Sequence, residues 1–156
     1  MTPTAPVTVV VPAYNAAAYL AVTLQSLQQQ TQVPEQVVVV DDGSTDDTAA
    51  IAERFGATVV RQQQKGPGAA RNRGLEVATS EFVAFLDADD WYVPDKLERS
   101  IEVLTELRAG CVCTDAWVVR GERIEARKNA HRYVPAVLTL EHLLRDGGAE
   151  QALEAL

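Results

Sequence analysis

The sequence predicts an α/β fold in three layers, with a mostly parallel, doubly wound β-sheet covered by helices on both faces. Short apolar runs rich in β-branched residues alternate along the chain with longer stretches that carry an apolar stripe at helical spacing. Strands in this order pair in parallel, because each helix carries the chain back across the sheet. The chain has 156 residues, of which 47% are hydrophobic, so it can bury a core of its own.

The first strand and helix are predicted from residues 7 to 30. Val7–Val11 is a continuous apolar run typical of a strand buried on both faces, and Pro12 is expected to end it. Asn15 is a candidate N-cap for a helix that extends to about Gln30. The buried stripe of this helix is expected to contain Leu20, Leu24 and Leu27.

The second strand, the second helix and the third strand follow the same pattern. Val37–Val40 predicts another buried strand, and Thr58–Arg61 predicts a short third one. Between them, Ser44 and Asp47 resemble a capping box, and Gly56 is placed to end the helix in a left-handed conformation. The buried face of this helix is expected to contain Ile51, Ala52 and Phe55.

The third helix is predicted to open at Gly66-Pro67-Gly68 and to run to about Ala78. Phe82–Leu86 predicts a fourth strand, and Pro94 suits the first turn of a fourth helix. Cys111–Val119 predicts a fifth strand. The apolar stripe of the fourth helix is expected to contain Leu97, Ile101, Leu104 and Leu107.

The pattern weakens after Gly121. The polar, basic stretch Arg123–Arg132 is expected to be a loop, and Thr139 is a candidate cap for a helix through Arg145. The last eight residues form an Ala/Glu/Leu-rich tail that could pack on a partner, which leaves a homodimer open.

Composition narrows the classes of partner and the compartment. The net charge of −8 makes nucleic acid and anionic membrane surfaces poor partners, so a phosphorylated ligand would need a cation, a helix N-terminus or arginines. Cys111 and Cys113 are poorly placed to bridge each other, as expected in a reducing compartment. With neither a signal peptide nor a membrane span recognised, we expect a cytoplasmic protein, with a peripheral position at the inner face of the membrane left open.

Polar residues follow each of the first four predicted strands. Carboxyl ends of parallel strands share one edge of a sheet, and ligands bind there at the point where strand order reverses. A turn or a helix cap would explain any one of these groups, but it explains all four together less well. In chain order they are Tyr14 and Asn15; Asp41, Asp42 and Gly43; Gly66 to Arg71; and Asp87, Asp89 and Asp90.

The triplet Asp87-Ala88-Asp89 is the candidate metal site. Adjacent carboxylates at a strand end repel one another unless a cation joins them, and oxygen ligands suit Mg²⁺ or Mn²⁺. A solvated acidic turn is the other interpretation. The run from Gly66 to Gly74 adds small residues and two arginines, Arg71 and Arg73, of which one is expected to reach the site.

Four motifs together resemble the family 2 glycosyltransferases, which have the GT-A fold. They occur in that family's order and spacing and cover roughly residues 7 to 119. The motifs are VVVPAYN at 9–15, VVDDGSTD at 39–46, GPGAARNRG at 66–74 and FLDADD at 85–90.

The resemblance implies a site for a nucleoside diphosphate sugar, most often a uridine one, in residues 1–121, with residues 122–156 as part of an acceptor side. It implies Mn²⁺ or Mg²⁺ as cofactor, a sugar, lipid-linked or other hydroxyl acceptor, and transfer with inversion. The implied donor residues are Pro12 and Tyr14 at the base, Asp42 with Asp41 bonding the base, Asn15, Arg71, Ala88, and Asp87 near the ribose; the implied metal ligands are Asp89 and Asp87.

The family's general base belongs to a downstream acidic motif, and no convincing match is found. Asp115, Glu141 and Asp146 lack its context, while His131 and His142 are expected at the surface rather than in a metal shell. We therefore expect a chain truncated after its nucleotide-sugar-binding half. A catalytically incomplete fragment that binds a nucleotide sugar is the alternative to an active transferase.

Three other classes fit less well. A receiver-type signalling domain would carry its acid pair after the first strand, whereas Asp41 and Asp42 follow the second. A phosphatase of the haloacid dehalogenase type would have Thr or Val where Trp91 stands. A dinucleotide-binding dehydrogenase would need glycines after the first strand, and residues 12–18 contain none.

Overall fold

The computed structural model describes residues 2–114, 116–120, 123–127 and 137–138. The chain divides into two compact units, Met1–Arg99 and Ser100–Leu156. The predicted helix from Thr139, the C-terminal tail, the three downstream acids and both histidines lie outside the described residues. Among the described residues, no helix combines the length and hydrophobicity needed to cross a bilayer.

Strands and helices alternate through the first unit, as the sequence predicts. They are β1 (Thr4–Ala13), α1 (Leu20–Gln28), β2 (Val33–Asp41), α2 (Thr48–Arg54), β3 (Thr58–Arg61), α3 (Pro67–Val77) and β4 (Phe82–Phe85). Helix α4 follows at Lys96–Leu107, and the second unit contains β5 (Cys111–Val112), β6 (Trp117–Arg120), β7 (Arg123–Arg127) and β8 (Val137–Leu138).

The main sheet has the strand order β3-β2-β1-β4, and all its pairings are parallel. From β1 the chain builds outward to β2 and β3 on one side and then crosses to β4 on the other. Strand order therefore reverses between β1 and β4, and the carboxyl ends of these two strands flank a topological switch point.

Helices cover both faces of this sheet, which confirms the three-layer prediction. On one face, Val10, Val38 and Val40 pack in a buried cluster with Ala70 of α3. Side chains alternate along a strand, so Val9, Val11 and Val39 point to the other face, where they are buried as well. That face is covered by α1 and α2, and the α1 stripe of Leu20, Leu24 and Leu27 is buried as predicted.

Pro12 does not end the first strand, which continues through it to Ala13. Val10 O accepts the N–H of Leu86, so Val10 faces β4, and Pro12, two residues on, faces the same side. Strand β4 pairs with β1 only as far as Val10. Proline is tolerated at Pro12 because its missing N–H lies where β1 has no neighbouring strand on that side.

Two predicted caps are wrong, and one helix end is confirmed. Asn15 lies ahead of α1 at φ 48°, and α1 begins after Tyr19 with no side-chain cap. Helix α2 begins after Asp47, which also makes no side-chain cap bond. Gly56 does end α2 at φ 77°, a left-handed conformation that favours glycine.

The predicted fifth strand and the loop after it are also wrong. Within Cys111–Val119, Cys111–Val112 pairs antiparallel with β8, while Trp117–Arg120 belongs to a separate antiparallel pair with β7. Arg123–Arg127, predicted as loop, is that partner strand. Only two residues connect β6 to β7, so the hairpin satisfies its backbone hydrogen bonds with little loop-closure entropy.

Candidate functional site

The carboxyl ends of the four parallel strands meet at one edge of the sheet. Ala13 of β1 pairs with Asp41 of β2, and Asp41 pairs with Arg61 of β3, so these strands end level with one another. The polar segments that follow β1 and β2 therefore start side by side, and the segments that follow β3 and β4 flank them. This is the arrangement that the sequence predicts.

The loops after β1 and β2 are held together through Asn15. Its N–H donates to Ser44 Oγ at 2.9 Å, and its Oδ1 accepts the N–H of Thr45 at 2.9 Å. Asp41 is buried, and its Oδ1 accepts the N–H of Ser44. Asn15 and Asp41 thus fix the shape of the loops at the sheet edge.

Asp46 extends the same contact, since its Oδ2 accepts the N–H of Ala17 at 3.1 Å. The hydroxyl of Thr48 donates to Asp46 and holds the pKa of that carboxyl below its usual range, against a smaller opposing effect of desolvation. Thr48 Oγ1 in turn accepts the N–H of Ala16 at 2.8 Å.

Asp42 joins the end of β2 to the loop that precedes α3. Its side chain is 3% exposed, and its carboxylate accepts hydrogen bonds from Gln62 Nε2, Lys65 N and Gly66 N at 2.7, 2.8 and 2.7 Å. Burial acts to raise the pKa of Asp42, but these three donors together with the positive charge of Lys65 outweigh it and hold the pKa below its usual value. The group is an anion that fixes the backbone of residues 62–66.

A cleft lies between the loop after β1 and the first turn of α3. It has a volume of about 130 Å³, and its walls contain Pro12, Ala13, Tyr14, Asp42, Gln64, Gly66, Pro67 and Ala70. Pockets that enclose a drug-sized ligand usually hold about 300–1,000 Å³, so this cleft can take one ring of a larger ligand. Three predicted donor residues, Pro12, Tyr14 and Asp42, are brought together here.

Tyr14 is 47% exposed, so its ring is free to cover a ligand in the cleft. Carboxylate oxygens have about four lone-pair directions, of which the protein's own donors use three at Asp42. One direction on Oδ2 is therefore not used by any donor among the residues that the structure describes. The cleft combines an apolar wall, an aromatic face and one anionic acceptor.

Arg71 of α3 and Asp87 after β4 form an ion pair, with 2.5 Å between Arg71 Nη2 and Asp87 Oδ1. The side chains are 34% and 51% exposed. Arg73 instead pairs with Glu76 on its own helix, so of the two arginines it is Arg71 that reaches the edge of the sheet, as expected. Asp87 therefore has a cationic partner in Arg71 that does not depend on a metal ion.

The acidic segment after β4 turns sharply, with Asp90 N donating to Asp87 O at 3.1 Å. Ala88 is buried, whereas Asp87 and Asp89 on either side of it are exposed. Within the described residues, no three His, Cys, Asp or Glu side chains are grouped so as to hold a metal ion. A cation here would therefore need ligand atoms from outside the described residues, from a substrate or from water.

Tyr92 closes the far side of this segment. Its hydroxyl donates to Phe85 O at 2.7 Å, and Lys96 Nζ lies 5.0 Å from the centre of its ring. Burial, assisted by the negative charges of Asp87 and Asp90, raises the pKa of Tyr92 to about 12. The phenol stays protonated and serves as a donor that fixes the end of β4.

Several residues at the site were not predicted from sequence. Gln62, Lys65 and Gln64 belong to a loop whose sequence, QQQK, carries no recognisable signal. Thr23, in the middle of α1, donates to Ala88 O although a hydroxyl inside a helix usually bonds its own backbone or water. The available clue was that Thr23 is a polar residue on the helix face that carries Leu20 and Leu27.

Comparison with known proteins identifies the family. A model of glycosyl transferase family 2 matches residues 8–151. The chain belongs to this family. The succinoglycan biosynthesis protein ExoW of Rhizobium meliloti is 42% identical over 116 residues, which are 69% of this chain and 36% of ExoW.

Solved structures share the fold over about two thirds of this chain. TarS from S. aureus, in complex with UDP-GlcNAc, superposes with a TM-score of 0.62 at 35% identity over 66% of this chain and 32% of the TarS chain. The mannosyltransferase PcManGT from Pyrobaculum calidifontis, in complex with GDP-Man and Mn²⁺, gives 0.61 at 31% identity over 70% of this chain and 35% of its own. The predicted GT-A class is confirmed.

This chain spans about a third of the length of the curated relatives it matches, and in two of them the matched part is 33% and 36% of the relative's length. The matched part includes the sheet edge and its cleft, which lie between residues 12 and 92. It is on these residues that a functional proposal can rest.

Proposed function

We propose that this chain binds a nucleoside diphosphate sugar, preferentially a uridine one, and serves metal-dependent transfer of the sugar to an acceptor hydroxyl with inversion. The observation that supports this most directly is the cleft beside the topological switch point. It joins Pro12, Tyr14 and Asp42 in one small pocket, and Ala70 in its wall directly precedes Arg71, which pairs with Asp87 of the acidic segment.

The cleft suits a planar base. Tyr14 offers a half-exposed ring for stacking, and Pro12 is a buried apolar wall. The open acceptor direction on Asp42 would take the ring N–H of uracil, and Asn15 and Asp41 would act through the loop shape that they fix. TarS binds UDP-GlcNAc and PcManGT binds GDP-Man, so the two relatives carry different bases. The choice of uracil is therefore a separate part of the proposal from the binding of a nucleoside diphosphate sugar.

The acidic segment suits a divalent cation bound together with a substrate diphosphate. Mg²⁺ and Mn²⁺ commonly take one or two protein carboxylates and complete their shell with phosphate oxygens and water. Asp89 is exposed and makes no hydrogen bond or ion pair within the described residues, while Asp87 is shared with Arg71. We therefore assign Asp89 as the principal metal ligand, with Asp87 and Ala88 next to the ribose and Arg71 beside the phosphates.

A bound cation would neutralise charge on the departing diphosphate. The chain's own contribution is to orient the donor between the cleft and the acidic segment. Inversion also needs a carboxylate base to take the proton of the acceptor hydroxyl. A nucleotide-sugar-binding fragment without that base is the second candidate, and transfer or hydrolysis of the donor separates the two.

The biological setting is part of the same proposal. The chain would act in the cytoplasm, with a peripheral place at the inner membrane face, on a sugar or lipid-linked acceptor in glycan biosynthesis. The relative ExoW is a succinoglycan biosynthesis protein, which supports this class of pathway. We also propose that residues 1–121 bind the donor and that residues from 122 onward contact the acceptor.

Isothermal titration of UDP into the protein, with Mn²⁺ and again with EDTA, tests the proposal. We expect micromolar to sub-millimolar binding that needs the metal and that Asp89→Ala abolishes. Asp47→Ala is the matched control, because Asp47 is an exposed carboxylate without a cap bond, and its loss changes the net charge equally.

Binding of UDP that is indifferent to EDTA and to Asp89→Ala would contradict the metal assignment. GDP and dTDP are titrated in parallel, so tighter binding of either would correct the base. If none of the three nucleotides binds detectably, this chain does not hold a donor.

A further inference from the structure

The segment Leu86–Asp95, which carries the proposed metal ligand, has no helix or strand of its own. Its local backbone bonds among those described are two turns, in which Asp90 N donates to Asp87 O and Lys96 N donates to Val93 O. The backbone of such a segment needs partners elsewhere if its carboxylates are to keep a fixed position. Those partners come from α1 and the residues just after it.

Three polar side chains on the α1 side supply these bonds. Thr23 Oγ1 donates to Ala88 O at 2.8 Å, and Ser26 Oγ accepts the N–H of Tyr92 at 3.2 Å. Gln30 Nε2 donates to Val93 O at 2.7 Å. Three separate backbone groups of the segment are thus bound, two by side chains of α1 and one by Gln30 just after the helix.

These three side chains are 1%, 8% and 3% exposed, in the order Thr23, Ser26 and Gln30. Thr23 and Ser26 are buried on α1 together with Leu20, Leu24 and Leu27, and Gln30 follows the end of the helix. A buried polar group costs free energy unless it is hydrogen-bonded, so apolar side chains would satisfy packing more simply. What the hydroxyls and the amide add is a fixed position for the backbone that they bind.

We propose that Thr23 is a positioning residue for the metal-dependent part of donor binding, which rests on the proposed function. Ala88 is flanked by Asp87 and Asp89, so the bond to Ala88 O fixes the peptide between the two carboxylates. Fixing that peptide sets the directions in which both side chains leave the backbone. Ser26 and Gln30 do the same further along the segment.

Thr23→Val removes the hydroxyl and keeps the shape, whereas Thr23→Ser keeps the hydroxyl. Thr8→Val is the matched control, since Thr8 is fully buried and its hydroxyl bonds Gln36 and Ser80 near the opposite edge of the sheet. Each variant is titrated with UDP in Mn²⁺ and in EDTA, and the ratio of the two affinities is compared. Amide hydrogen exchange of residues 87–92 is measured in metal-free protein.

Thr23→Val is expected to reduce the gain in UDP affinity from Mn²⁺ by about tenfold, the lower end of effects seen when residues behind a metal ligand are changed. Thr23→Ser and Thr8→Val should keep that gain. Exchange at residues 87–92 should speed up in Thr23→Val and not in Thr8→Val. Ser26→Ala, which removes the acceptor for Tyr92 N–H, gives the same test if Thr23→Val does not fold.

An unchanged gain in Thr23→Val, or an equal loss in Thr8→Val, would overturn the positioning role and leave the proposed function standing. A wild-type protein that gains nothing from Mn²⁺ would overturn the proposed function, and this role of Thr23 with it. Unchanged exchange in Thr23→Val would show that the hydroxyl does not hold the segment.

Discussion

Replacement of Asp42 by asparagine tests the interpretation that this carboxylate fixes the loop between β3 and α3. In the folded protein Oδ1 accepts from Gln62 Nε2 and Lys65 N, and Oδ2 accepts from Gly66 N. An asparagine has one acceptor oxygen and one NH₂ group. Whichever way the amide is turned, at least one of the three donors will face another donor.

The expected cost follows from these bonds. A hydrogen bond to a charged group contributes about 1.5–3 kcal/mol, and a buried donor left unpaired costs about 1–3 kcal/mol. The side chain is 3% exposed, so water cannot easily replace the lost acceptor. We expect Asp42→Asn to lower the free energy of unfolding by about 2–4 kcal/mol.

Urea unfolding at pH 7 measures this difference, with Asp41→Asn as control. Asp41 is buried to a similar degree, but within the described part of the chain its carboxylate accepts only the N–H of Ser44, which an amide oxygen can still accept. The control should therefore lose less than about 1.5 kcal/mol. Equal losses in the two variants would refute the assignment of three bonds to Asp42.

The pH dependence gives a second test. The pKa of Asp42 lies below its ordinary value of 3.8 in the folded protein, so its contribution is fully present above that value. The contribution is lost as the pH falls through the lower pKa of the folded state. The difference between wild type and Asp42→Asn should therefore shrink below about pH 4. A difference that stays constant down to pH 3 would contradict the cause given for the pKa.

Two further predictions concern packing and the phenol. Gly74→Ala would place a Cβ 2.2 Å from Val10 Cγ1 and should lower the free energy of unfolding by about 1–3 kcal/mol. Gly68→Ala is the control, because a Cβ there meets nothing within 4 Å and should not lower that free energy. Urea unfolding compares the two variants. Burial raises the pKa of Tyr92 to about 12 in the folded protein, so its contribution to stability is lost as the pH rises from about 10 to 12. Wild type should therefore lose stability more steeply than Tyr92→Phe over this range, and equal slopes would refute this cause. Tyr92→Phe should also cost about 1 kcal/mol at pH 7, through the lost bond to Phe85 O.

The parallel core could be predicted because its signal is local and strong. The valine runs of β1 and β2 and the apolar stripe of α1 are where the sequence places them, since burial on both faces permits little else. Tyr14 and Asp42 were predicted as neighbours because parallel strands must end at one edge, and the family resemblance added Pro12 to the same pocket.

The errors occurred where non-local contacts outweigh local preference. Asn15 has the composition of a helix cap, yet its side chain accepts a bond from Thr45, thirty residues away. Cys111–Val119 has the apolar content of one strand, but its second part pairs with β7 in a local hairpin. Propensity does not reveal which partner a strand takes.

The sequence by itself thus determined the α/β class, the succession of core strands along the chain and the set of polar residues at their ends, because hydrophobic periodicity and turn chemistry are local properties of the sequence. Tertiary structure decided which partner each of those polar residues binds. Arg71 meets Asp87, Asp42 anchors residues 62–66, and Thr23 holds Ala88. The physical reason is that each of these bonds joins segments brought together only when α1 and α3 pack on the sheet.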